Sequence, residues 1–190
     1  MQMTDSQRIE APRDEVWEAL NDPDVLKACI PGCEELIKHS DTDLEAKVKL
    51  KVGPVKATFG GKVTLTDLDP SNGYTIEGEG SGGVAGFARG AAKVRLEEDG
   101  PNTTILSYEV DANVGGKLAQ LGSRLIDSTS RRLAGEFFSA FSEEVAPAAL
   151  DPEPEEATSG TEATPEQKKG WLGGLFGGRK KTETPDGPAA

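Results

Sequence analysis

The chain predicts an α+β fold: a curved antiparallel sheet of about seven strands wrapped around one long C-terminal helix, with two short helices after the first strand and a disordered C-terminal tail. Three observations predict it. Apolar and polar residues alternate with period two through the middle of the chain, as in LEAKVKLKV. The alternating runs are separated by short Gly-, Pro-, Asp- and Asn-rich turns, the pattern of an antiparallel meander. A proline-free stretch at helical spacing then follows, and after Pro147 large apolar residues become scarce.

A first strand is expected near residues 4–10. In APRDEVWEAL, Pro12 suits a first helical position, acids follow in the first turn, and Val16 and Leu20 stand four apart. NDPDVLKAC gives a second short helix, capped by Asp22 with Pro23 behind it, and IPGC ends it. In the next strand Leu44, Ala46, Val48, Leu50 and Val52 face one way and Glu45, Lys47, Lys49 and Lys51 the other. Gly53-Pro54 turns the chain into VKATFGGKVTLTDL, kinked at Gly60-Gly61. YTIEGEG, GFARGAAKVRLEE and TTILSYEVDA supply the remaining strands. The stretch 115–146 reads as one helix, with Leu118, Leu121, Leu125, Leu133, Phe137, Phe141 and Val145 on its apolar stripe. It is the one large partner available to cover the sheet.

Domain 1–146 is therefore followed by an acidic linker over 147–167, a basic and apolar segment over 168–181, and a terminus over 182–190. The net charge of -12 argues against nucleic acid, whose phosphates call for Lys and Arg. No secretory leader is visible and no apolar run reaches bilayer length, which predicts a cytoplasmic chain with reduced thiols. Cys29, Cys33 and His39 are too irregularly spaced for a zinc site. With a single histidine and no partners pointed to it, no catalytic set emerges, and the chain reads as a non-enzyme. GEGSGGVAGFARG lacks the Gly-Lys-Ser/Thr ending of a phosphate loop, so its glycines read as sharp strand bends.

The order of elements resembles the helix-grip fold of the START and Bet v 1 superfamily. More closely, EVWEALNDPDVLKACIPGCEEL, VKVGPVKATFGGKVTLTDLDP, GEGSGGVAGFARGAAKVRLE and VGGKLAQLGSRLID resemble the carbon monoxide dehydrogenase CoxG family over residues 1–146. The resemblance implies an apolar cavity between sheet and helix. It also implies a link to a molybdenum carbon monoxide dehydrogenase or a related molybdenum hydroxylase, as a membrane tether or maturation aid. Small inward residues on the strands leave room for a ligand, with a filled core as the alternative. The expected lining is Val48, Leu50, Val52, Phe59, Val63, Leu65, Ile76, Phe87, Leu106, Tyr108, Leu118, Leu121 and Leu125. No catalytic residue, no metal and no resident cofactor are expected.

The segment KKGWLGGLFGGRKK carries a different signal. As a helix it would place Trp171, Leu172, Leu175 and Phe176 on one stripe, although its glycines oppose helix formation in water. Lys168, Lys169, Arg179, Lys180 and Lys181 flank that stripe. Each base near an anionic surface contributes about 1 kcal/mol, and each partly buried apolar side chain adds ~1 kcal/mol. Ordering the segment costs several kcal/mol back. A reversible attachment to the inner face of the cell membrane follows, with docking into an acidic protein groove as the alternative. Together with this membrane signal, the family resemblance implies a tethered carrier of an apolar molecule, most naturally menaquinone or another isoprenoid quinone. The competing readings are a recruitment anchor and a maturation factor without ligand transport.

Overall fold

The computed structural model describes residues 1–146. Seven strands form one antiparallel sheet: β1 (Gln2–Ile9), β2 (Cys33–Lys38), β3 (Asp43–Val52), β4 (Val55–Asp69), β5 (Gly73–Ser81), β6 (Phe87–Glu98) and β7 (Thr104–Gly115). The spatial order is β1-β7-β6-β5-β4-β3-β2. Strands β2 to β7 thus form the expected meander, and β1 returns beside the last strand. The chain must cross the full width of the sheet between β1 and β2. It does so through α1 (Arg13–Asn21) and α2 (Pro23–Cys29), which lie over one end of the inner face. The third helix, α3 (Ser123–Val145), lies on the same side.

Local signals explain the short helices. Pro12 is the N-cap of α1, and its carbonyl accepts from the Val16 amide at 3.0 Å. The Asp22 carboxylate accepts from the amides of Asp24 at 2.8 Å and Val25 at 3.3 Å, satisfying donors that the first turn of α2 leaves free. The IPGC turn needs its glycine. Gly32 has φ of +73°, and a Cβ there would lie 2.3 Å from the Lys49 carbonyl oxygen. The Gly32 carbonyl also accepts from the Lys49 amide at 2.8 Å, so the turn is fastened to β3.

Two expectations change. The strand Cys33–Lys38, outside the runs delimited above, forms the sheet edge next to β3. Its alternation is short and begins with a register shift between Cys33 and Glu35, which blurs the period. The run 115–146 is not one helix. Gly116 and Gly122 take φ of +74° and +86°, and α3 begins only at Ser123. The intervening residues form a short 3₁₀ turn, Ala119–Leu121, that packs against the glycine-rich β5–β6 loop. The Leu118 amide donates to the Ala85 carbonyl there, at 3.0 Å. Gly86, with φ of +122°, lets the two loops touch, since a Cβ would sit 2.2 Å from the Gly115 carbonyl oxygen. The glycines of GEGSGGVAGFARG are therefore a backbone joint.

The core is concentrated beneath α1 and the second half of α3. Ile9, Val16, Leu106 and Phe141 are fully buried there. Thr104, also fully buried, donates its hydroxyl to the Ala11 carbonyl at 2.8 Å and pins the β1–α1 junction to β7. Aromatic pairs tie the helices to the sheet. Trp17 of α1 packs on Tyr74 with centroids 5.5 Å apart, and Phe138 of α3 stacks on Tyr108 at 5.3 Å. Phe137 packs on both Phe138 and Phe141.

Candidate functional site

Residues in register share a face, so the pairing of the strands decides what lines the interior. On the inner face Leu44 of β3 stands beside Val63 of β4. Leu65, Ile76, Ala92 and Val110 form a second row. Tyr74, Val94 and Tyr108 form a third. Small residues interrupt these rows: Ala46 pairs with Gly61, and Val63 pairs with Gly78. The Phe137 and Phe138 rings of α3 cover one side, and the short helices cover another.

A cavity of about 300 Å³ remains between these layers. The sheet contributes Leu36, Leu44, Ala46, Val63, Leu65, Tyr74, Ile76, Ala92, Val94, Leu106 and Tyr108. The helices and their ends contribute Leu20, Leu26, Ile30, Phe137 and Phe138. Beside the two tyrosines, the lining is polar only at Asn21, Lys38 and Asp41. There the Lys38 ammonium donates to the Asn21 carbonyl at 3.2 Å and lies 3.8 Å from the Asp41 carboxylate. The Asp41 side chain is fully exposed, so this corner is where the cavity meets water.

The electrostatics suit a neutral guest. Burial raises the Tyr74 phenol well above its ordinary range. The Tyr108 phenol is also raised, first by burial and then by the charge of Asp5, with Arg131 opposing. Both remain protonated donors at neutral pH. Burial likewise raises the thiols of Cys29 and Cys33, which keeps them from thiolate chemistry. His39 sits in the open, 3.3 Å from Glu45. Among the described residues no three His, Cys, Asp or Glu side chains gather as a metal site.

Of the lining expected from sequence, Val63, Leu65, Ile76, Leu106 and Tyr108 meet in this cavity. Val48, Leu50, Val52 and Phe59 continue the inner face towards the β3–β4 turn, beyond it. Phe87 lies on the opposite face. Ala88, Ala92 and Val94 point inward, so alternation turns Phe87 out, 45% exposed, with its ring over Gly115. Leu118 is buried at the β5–β6 loop, Leu121 sits in the 3₁₀ turn, and Leu125 packs on Gly53. These three close the far end of the sheet, because the chain reaches α3 later than the unbroken helical stripe implies. Residues missed from sequence came from both layers: Leu36, Leu44, Ala46, Tyr74, Ala92 and Val94 from the sheet, and Leu20, Leu26, Ile30, Phe137 and Phe138 from the helices and their ends. The apolar spacing of the helices was legible, but which strand end they would cover was not. The segments 147–167, 168–181 and 182–190, with Trp171 and its neighbours, lie outside the described residues.

A long helix and two short ones closing an apolar cavity against a curved antiparallel sheet define a START/Bet v 1-like, helix-grip fold. The solved structures agree on the frame. A conserved protein from Geobacillus kaustophilus superposes with TM-score 0.73 at 29% identity, covering 77% of this chain and 95% of that one. A START superfamily protein from Mycobacterium smegmatis gives TM-score 0.58 at 12% identity, covering 76% and 96%. The Zhui aromatase/cyclase from Streptomyces sp. R1128 gives 0.57 at 16%, covering 76% and 93%, so enzymes also use this frame. The chain belongs to the family of the carbon monoxide dehydrogenase CoxG subunit, whose model matches residues 6–146. Comparison with curated proteins gave no match. Among the described residues no helix is long and apolar enough to cross a membrane.

Proposed function

We propose that this protein is a non-catalytic carrier that holds an apolar molecule, an isoprenoid quinone such as menaquinone, and links the cell membrane to a carbon monoxide dehydrogenase-type molybdenum enzyme. The observation that carries the reading is the apolar cavity, open at one corner between Asn21, Lys38 and Asp41. Its volume of about 300 Å³ is at the small end of ligand pockets. It suits a ring system and the first part of a tail, with the remaining tail leaving past that corner. Membership of the CoxG family supports the choice of enzyme partner. The basic and apolar residues of 168–181 support the membrane tether.

The test is extraction of the full-length protein purified from its source, with native mass spectrometry alongside. The expected result is one lipophile per chain with the mass and absorbance of a quinone. A protein that carries no lipophile, yet still co-purifies with the dehydrogenase, would be an anchor or a maturation factor instead.

A further inference from the structure

Two tyrosines of the cavity lining carry hydroxyls that have no partner in the fold of the described residues. Tyr74 and Tyr108 are 5% and 6% exposed, and both line the cavity. Neither hydroxyl has a hydrogen-bond partner among the described residues, while each ring is clamped by an aromatic side chain of a helix. Neither oxygen is among the buried polar atoms sealed off without a partner, a group that contains only the Arg13 Nε. Each oxygen therefore keeps some accessible surface even though its residue is buried. The two residues share one row of the inner face, flanking Val94. Two strand spacings place their Cα atoms roughly 9–10 Å apart. Burying a hydroxyl without a partner is unfavourable, and phenylalanine would fill the same volume without that cost.

We propose that Tyr74 and Tyr108 are the polar seat of the cavity: they donate hydrogen bonds to a carbonyl-type oxygen on an otherwise apolar ring ligand. The seat rests on the reading of the cavity as a ligand site. It selects a ligand with acceptor oxygens over a pure hydrocarbon of the same shape. It also sets the ligand's direction, with the oxygenated ring inside and the hydrocarbon remainder towards Lys38 and Asp41.

The probes are fluorene and fluorenone, which differ by one carbonyl and do not alkylate thiols. The proteins are the full-length chain and its Tyr74→Phe, Tyr108→Phe and doubly substituted variants. The wild type is expected to bind fluorenone roughly three- to tenfold more tightly than fluorene. That preference should disappear in the double variant while fluorene affinity stays constant. The infrared carbonyl band of bound fluorenone should shift to lower frequency in the wild type and return in the double variant. Thermal stability should be unchanged or raised, because no hydrogen bond within the protein is lost. Equal binding of both probes by the wild type, or a preference that survives in the double variant, overturns the seat and leaves the cavity reading intact. If neither probe binds the wild type, both readings are overturned.

Discussion

Ala92 shows how much one small side chain decides. It stands on the inner face between Ile76 and Val110 and lines the cavity. A large residue there would close the space that separates a ligand site from a filled core. Ala92→Phe is expected to reduce lipophile recovered from the purified protein at least tenfold. Its melting temperature should stay within about 4 °C of wild type, since the ring enters a void instead of displacing packed neighbours. Retention of ligand by a well-folded Ala92→Phe protein would place the guest elsewhere. Phe87 teaches the converse lesson. Its composition suggested a wall residue, but the period-two pattern of its own strand sends it to the outer face. The apolar alternation of β6 resumes only at Ala92, Val94 and Leu96, and the small residues before it hide the phase from a reader of the sequence.

At the scale of elements, the turns hold the sheet together. The β2–β3 turn is organised by Asp43, whose carboxylate accepts from Ser40 at 2.7 Å, Thr42 at 2.9 Å and Thr64 at 3.1 Å. These hydrogen bonds, that from Ser40 first, hold its pKa below the ordinary aspartate value. A carboxylate whose folded pKa is depressed adds stability above its unfolded pKa and loses it as pH falls through the folded value. The stability gap between wild type and Asp43→Asn should therefore be constant near neutrality and shrink below about pH 4. Melting curves from pH 2 to 7 would show it, and a gap independent of pH would contradict the assignment. The IPGC turn makes a second case. Gly32→Ala must place a side chain against the Lys49 carbonyl at positive φ. We expect a loss of about 2 kcal/mol or more in urea unfolding, from backbone strain and the weakened Gly32–Lys49 link.

For the whole molecule, the domain and the tail divide the work in the proposed function. The full-length chain should float with anionic vesicles at low ionic strength and leave them as salt approaches physiological levels and beyond, where the screening length falls to about 8 Å and below. Deleting 168–181 should abolish flotation without changing the ligand content of the domain. Flotation that persists after the deletion would move membrane attachment onto residues 1–146. Uncharged vesicles should recruit the chain only weakly, because the basic flanks then have no opposite charge to meet.

Although the edge strand Cys33–Lys38 and the late start of α3 at Ser123 escaped it, the sequence alone was enough for the other strands, the two short helices, the curved sheet and the family. Those features depend on residues close together in the chain: a Pro or Asp at a helix start, a glycine at a turn, alternation along a strand. Where the cavity lies was decided only in three dimensions. Leu20, Ile30, Tyr74, Ala92 and Phe138 are far apart in sequence and meet because α1 and α2 cross the sheet while α3 starts late. The same geometry leaves the hydroxyls of Tyr74 and Tyr108 without protein partners among the described residues. Periodicity states which side of an element is apolar; the register of β3 to β7 and the placement of the helices fix which apolar sides face one another and where they fail to touch.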